Sequence, residues 1–197
     1  MKIINAQFLK SITGPDESAG NGLPEICFIG RSNVGKSSAI NSLVQRKIAK
    51  TSSAPGATKT INLFKVELEL SGQRRPVIFS DFPGFGFSKV SKAVSQGWKT
   101  MIEGYILGNP RIRDIIWLFD IRREIDSLDE MLMEWLYRNK LTFSFVLTKS
   151  DKESQAVVSK KRRFFHDYFP GKTVFIFSSR TGQGKKELTA HLIGSIV

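Results

Sequence analysis

The sequence predicts an α/β protein of three layers: a mainly parallel, six-stranded sheet with one antiparallel edge strand, and helices packed on both faces. Three observations carry this expectation. Short apolar runs of strand length recur along the chain, separated by stretches with helical spacing. The first strand that leads into a helix does so through a glycine-rich loop, the order that puts ligands at the C-terminal ends of parallel strands. Finally, hydrophobic residues make up 41% of the chain, and none of the apolar runs approaches the ~18 residues of a membrane span.

At 197 residues the chain can bury one substantial core, and no Pro/Gly/Ser-rich linker or repeat divides it. Residues 1–22 read as an N-terminal extension and 23–197 as a single nucleotide-binding domain. The segment Met1 to Lys10 is too short in its apolar part for a secretory signal and lacks arginine-rich transit character, so the expected location is the cytoplasm. The lone cysteine, Cys27, sits in the first apolar run and reads as core filler.

Glu25 to Ile29 is a short apolar run suited to a buried parallel strand. It enters Gly30, Arg31, Ser32, Asn33, Val34, Gly35, Lys36 and Ser37, a GxxxxGK(S/T) phosphate loop, and Ser38 to Val44 continues as a helix. Gly30 and Gly35 allow the tight turn that aims successive N–H groups and the helix N-terminus at phosphate oxygens. Lys36 is placed to reach the outer phosphates, and the Ser37 hydroxyl to ligate magnesium.

Residues 53–60 are polar and turn-forming. Gly56, Ala57, Thr58, Lys59 and Thr60 are assigned to the nucleotide site, with Thr58 preferred to Thr60 as a second hydroxyl for magnesium; an ordinary solvated connection is the plain alternative. Ile61 to Leu70 alternates as a half-exposed edge strand should, and the turn at Ser71 and Gly72 leads to Pro76 through Asp81, which together suggest an antiparallel hairpin. That strand ends in Asp81, Phe82, Pro83 and Gly84, a DxxG pattern. Asp81 can hold magnesium through water, and the Gly84 N–H can contact the terminal phosphate.

Further strands are expected at 115–119, 143–147 and 173–177, with helices near 96–107, 128–138, 154–169 and 184–196. The strand at 143–147 runs into Thr148, Lys149, Ser150 and Asp151. A carboxylate at Asp151 can accept two parallel hydrogen bonds from guanine, a donor pair that adenine lacks, so GTP is expected over ATP. Lys149 would lie along the base. The last strand ends in Phe177, Ser178 and Ser179, where the Ser179 N–H is chosen as donor to the guanine carbonyl. His166 and His191 read as surface or packing residues.

The charge balance, 30 Lys+Arg against 18 Asp+Glu for a net of +12, favours a polyanionic partner bound without DNA sequence readout. Lys89, Lys92 and Lys99, Arg122 and Arg123, and the face of the 157–169 helix carrying Lys160 and Arg163 are the candidate surfaces, each with a solvated charged face as its plain alternative. Phe164 and Phe165 are read as packing residues of that helix.

In this order the motifs resemble those of the translation-factor-related P-loop GTPases, and their wording resembles one branch, the EngB family. The carrying stretches are GRSNVGKSS at 30–38, PGATKTINLF at 55–64, DFPGFGFSK at 81–89, Trp98, the strand end with Asp120 and Arg122, the 126–136 helix and TKSDK at 148–152. Thr148 in place of an asparagine is the form usual in that family; Phe85 and Phe87 replace its usual tyrosines. The resemblance implies a P-loop GTPase fold and a bacterial GTPase using GTP/GDP and Mg2+, while a single small domain without an evident zipper suggests a monomer. The resemblance also implies a partner in the large ribosomal subunit or its rRNA and a requirement in cell division and septation; no helical segment is suited to a membrane surface, so no membrane attachment is expected. Many GTPases carry a water-orienting glutamine where Phe85 stands, so slow, partner-stimulated hydrolysis is expected. Asn33 admits a bridging K+, as in related GTPases with asparagine there, or a purely loop-stabilising role. The alternatives carried forward are a GTP-gated adaptor for a cell-division protein and an ATP-using P-loop enzyme, the latter disfavoured by Asp151.

Overall fold

The structure is a computed structural model that describes residues 2–14, 22–51, 60–85 and 102–196. Its strands are β1 (Lys2–Ile12), β2 (Glu25–Gly30), β3 (Ile61–Leu70), β4 (Gln73–Asp81), β5 (Ile112–Asp120), β6 (Phe143–Thr148) and β7 (Val174–Ile176). The helices are α1 (Lys36–Val44), α2 (residues 102–108), α3 (Ser127–Arg138), α4 (Gln155–Tyr168) and α5 (Lys185–Gly194). The strands form one sheet in the order β1-β3-β4-β2-β5-β6-β7. Its interior is parallel, and β3 is antiparallel to both β1 and β4.

The mainly parallel sheet and the antiparallel hairpin are those expected from the sequence, with one addition. Residues 2–12, set apart as an extension, supply a seventh strand outside β3. The β3–β4 hairpin turns on Ser71 and Gly72, both at positive φ (51° and 80°), which a two-residue turn of matching twist requires. β1 is interrupted by irregularities between Ile3 and Asn5 and between Phe8 and Lys10, which bend its outer edge.

The central strands are buried on both faces, and their period-two alternation feeds two cores. In β5, Ile115, Trp117 and Phe119 point to one face, where Leu136 of α3 and Val158 and Phe165 of α4 cover them. Ile116 and Leu118 point to the other, beneath Ile40 of α1 and Leu188 and Leu192 of α5. The first core is aromatic: Phe145 packs on Trp117, Phe165 and Phe169 with ring centroids 5.0, 5.1 and 4.4 Å apart. Cys27 is fully buried there, and burial pushes its thiol well above the ordinary range. All the strand ends that carry the polar motifs, those of β2, β4, β5, β6 and β7, open on the same edge of the sheet.

Candidate functional site: a phosphate loop joined to a base-recognition turn

The loop after β2 turns through Gly30, Asn33 and Gly35 at φ of 151°, 61° and 106°. At Gly30 a Cβ would lie 2.6 Å from the Leu118 carbonyl oxygen, so the loop passes too close to β5 for any side chain there. Lys36 opens α1 and is nearly buried, its ammonium donating to the carbonyls of Gly30 (3.2 Å) and Arg31 (3.3 Å). Ser37 Oγ donates to Asp81 Oδ2 at 2.7 Å.

Asp81 is 2% exposed and its Oδ1 has no hydrogen-bond partner. A buried carboxylate oxygen left open beside a hydroxyl fits a hydrated magnesium ion, with Ser37 and Asp81 as the holding pair. Burial dominates the electrostatics here, pushing the Asp81 carboxyl up and the Lys36 ammonium down, while the charge of each opposes the shift of the other.

The DxxG segment lies directly against the loop. Phe82 N–H donates to the Phe28 carbonyl (3.1 Å), and Ser32 N–H to the Phe85 carbonyl (3.1 Å). A Cβ on Gly84 would sit 2.7 Å from the Ser32 backbone, so only glycine allows this approach. Phe85 is 5% exposed and belongs to the aromatic-side core, so its side chain turns away from the loop. Gly56, Ala57, Thr58 and Lys59 lie outside the described residues, as do Phe87, Lys89, Lys92, Trp98 and Lys99. Thr60 is described, its Oγ1 donating to Asn62 Oδ1 at 3.3 Å.

The turn after β6 reaches back to the phosphate loop through two side chains. Thr148 Oγ1 lies 2.8 Å from the Val34 carbonyl, and Lys149 Nζ donates to the Asn33 carbonyl at 2.7 Å. Lys149 also pairs with Asp120 at 2.9 Å, and Asp120 takes a bidentate grip from Arg122 (2.9 and 2.7 Å). Burial opposes ionisation of Asp120, but these hydrogen bonds outweigh it and hold the carboxyl well below the usual range.

Asp151 stands on a single 3₁₀ turn, Ser150–Lys152, with Oδ1 accepting from Ser178 Oγ at 2.6 Å. That hydrogen bond is the main cause holding the Asp151 carboxyl below its ordinary range. Ser178 is fully buried, and its oxygen in turn accepts from the Arg180 and Thr181 N–H groups (3.3 and 3.2 Å). Ser150 Oγ donates to Gln183 at 2.7 Å. Thus Ser178 organises the turn after β7, while Ser179, the expected donor, is exposed beside it.

Two features escaped the sequence reading. Arg31 pairs with Asp126, the N-cap of α3, and lies 3.7 Å from Asp129; Arg123 reaches both carboxylates at 3.0 Å. Asp126 and Asp129 also form the capping box of α3. The acid-x-x-acid spacing before an apolar-periodic helix was a visible signal for the box, but nothing local announced Arg31. At the opposite edge of the sheet, His191 Nε2 lies 2.6 Å from Asp114 Oδ2 and 3.0 Å from Ser144 Oγ. His191 is therefore a packing residue with a polar tie, whereas His166 is exposed and lies 3.7 Å from Asp167.

A glycine-tight phosphate loop, a carboxylate and hydroxyl pair open to a metal, and a carboxylate turn tied to the same loop define a P-loop GTPase. A family model described as 50S ribosome-binding GTPase matches residues 25–149. "Probable GTP-binding protein EngB" of Syntrophus aciditrophicus is 41% identical over 95% of this chain and 93% of its own length, and that of Chlorobium luteolum 39% over 97% and 90%. The chain belongs to the EngB family of GTP-binding proteins. Among solved structures, that of a probable GTP-binding protein EngB superposes with a TM-score of 0.66 at 25% identity, covering 87% of this chain and 98% of the other. Era in complex with MgGDPNP and nucleotides 1506–1542 of 16S ribosomal RNA gives 0.73 at 20% identity, covering 89% and 57%, a likeness of fold.

Proposed function

We propose that this protein is a cytoplasmic, monomeric, nucleotide-switched factor that assists assembly of the large ribosomal subunit, hydrolyses GTP slowly, and is needed for normal cell division and septation. The observation that carries the nucleotide reading is the Asp151 carboxylate, held ionised by Ser178 on a turn whose Thr148 and Lys149 side chains fix the phosphate loop. Base and phosphate recognition then form one rigid unit. The ribosomal reading is supported by the EngB relatives, by the description of the matching family, and by a net charge of +12 that nucleotide binding alone does not require.

In this reading the loop residues 30–37 cradle the phosphates with their N–H groups. Lys36 leaves the carbonyls of Gly30 and Arg31 to neutralise the outer phosphates, and the Gly84 N–H, with Phe82 and Pro83 fixing its approach, senses the terminal one. Ser37 and Asp81, joined by Thr58, would hold magnesium, which would supply positive charge to the transferred phosphoryl group. Gly56, Ala57, Lys59 and Thr60 flank that threonine. Phe177 and Ser179 complete the base pocket beside Ser150. Phe85, packed in the core, offers no side chain to orient water, so intrinsic hydrolysis is slow and a partner completes the site; Asn33 would hold a potassium ion that would supply part of that stimulation.

Co-sedimentation with purified large ribosomal subunits at near-physiological salt, with a non-hydrolysable GTP analogue, GDP or no nucleotide, tests the reading. Stoichiometric binding only with the GTP analogue is expected. Binding in no state, or binding that vanishes with modest salt whatever the nucleotide, would favour a GTP-gated adaptor for a cell-division protein.

A further inference from the structure

Among the described residues eight large apolar side chains are exposed, and five of them lie on two adjacent helices: Met131 and Tyr137 on α3, and Val157, Phe164 and Tyr168 on α4. On α4 the spacing of 157, 164 and 168 makes one stripe. Phe164 and Tyr168 are 39% and 43% exposed, and their rings stack with centroids 5.4 Å apart and planes at 27°. The next residue, Phe165, is the one that enters the core, packing on Phe119 and Phe145. Phe164, read from sequence as a packing residue, is therefore not needed there.

The charges around the stripe are divided. Lys161 is buried, donating to Glu124 at 2.8 Å with its ammonium 5.6 Å from the Phe164 ring centroid, and the Tyr168 hydroxyl donates to Glu130 at 3.3 Å. The edge of the stripe that meets α3 is thus lined by acids. Lys160 and Arg163 are both exposed, and at 3.6 residues per turn they fall on the other, solvent-facing side. Asp167, the lone acid of α4, lies on that same side one turn beyond Arg163, so the two cations outnumber it there.

We propose that this stripe is a platform for single-stranded RNA, with unpaired bases stacking on Phe164 and Tyr168 and the phosphates running along Lys160 and Arg163. Every base has a π face, so exposed rings flanked by cations bind single strands without sequence readout. Glu130 repels phosphate from the α3 side of the rings, while Glu124 is neutralised by Lys161, so the backbone passes on the other side. Duplex RNA is a poorer ligand, because its bases are already stacked internally. The chemistry stands alone, but the source of the RNA rests on the ribosomal reading above.

The test measures binding of a labelled short oligouridylate and of an RNA duplex to the full chain, with subunit co-sedimentation alongside. It compares wild type with Phe164→Ala/Tyr168→Ala and Lys160→Ala/Arg163→Ala; all four side chains are exposed, and guanine-nucleotide binding checks the fold. The single strand is expected to bind better than the duplex. Loss of the rings should weaken it by roughly 5- to 100-fold per ring with the salt slope unchanged. Loss of the cations should weaken it and reduce the slope by about 1.4, two phosphates at ~0.7 each. Wild-type oligouridylate affinity in the ring variant overturns the proposal. So does loss of subunit binding with oligouridylate binding intact, which would mark the stripe as a protein-docking face. If wild type fails to sediment with subunits while the variants still lose oligouridylate, the ribosomal reading falls and the platform stands.

Discussion

Asp151 and Ser178 join the turns after β6 and β7 through one hydrogen bond of 2.6 Å, and the hydroxyl that donates it is itself held by two backbone N–H groups. The proposed acceptor for guanine is therefore positioned by a buried donor on a different turn.

Ser178→Ala should weaken guanine-nucleotide binding by about 1.5–3 kcal/mol, since a hydrogen bond to a charged group is lost. The pH dependence follows from the direction of the Asp151 shift. Its carboxyl is held below the usual range, so the ionised form that would accept from guanine persists through the pH range in which an ordinary aspartate titrates and is lost below it. Removing the Ser178 hydroxyl moves the loss to higher pH. Titrating fluorescent GDP affinity against pH for both proteins checks this; identical profiles would separate Ser178 from Asp151.

Arg31 and Arg123 share Asp126 and Asp129, which makes the two arginines unequal to the buried acid. Asp129→Ala removes the buried acceptor and capping-box partner but leaves both arginines paired with half-exposed Asp126, an expected loss of about 1.5–3 kcal/mol. Arg31→Ala leaves Arg123 holding both acids and should cost about 1–2 kcal/mol, while weakening nucleotide binding because the loop loses its tie to α3. Urea unfolding and GDP binding on both variants measure the difference.

The strands and phosphate loop were legible because their signals are local. A strand buried on both faces must be apolar throughout, and a loop that wraps phosphate needs glycine at fixed steps. β1 was not legible: residues 2–12 acquire their strand character from β3, some sixty residues further on, and carry little alternation of their own. The hydroxyl of Ser178 was hidden for the same reason, since Ser178 and Ser179 are chemically alike and only the turn decides which is buried. Phe164 and Phe165 are adjacent and identical, and only the angular position of the sheet separates the exposed ring from the core one.

Gly184 caps α5 at φ 74°, and a Cβ there would lie 1.8 Å from the Ile176 carbonyl oxygen. Gly184→Ala should cost more than about 3 kcal/mol, combining left-handed strain with a backbone clash. A thermal shift close to wild type would show that the end of β7 can move aside.

Phe85→Gln offers the amide that many GTPases use, yet intrinsic hydrolysis should not rise, because position 85 points into the core. The variant should lose about 3–5 kcal/mol of stability, as buried phenylalanines do on removal. Single-turnover hydrolysis together with denaturant unfolding tests both halves.

Potassium should accelerate hydrolysis over sodium at equal ionic strength, and Asn33→Ala should abolish the difference. Equal rates in the two salts for wild type would leave Asn33 a loop-shaping residue, consistent with its φ of 61°.

The place of β1 bears on how the chain is made. It leaves the ribosome before β3, its one partner in the sheet among the described residues, and β3 reaches its other neighbour only when β4 has followed. Phe8, which meets Phe64 edge-on in the finished fold, must therefore wait through the synthesis of some fifty intervening residues. During that interval β1 is an unpaired edge on the nascent chain, open to a holding chaperone until β3 emerges.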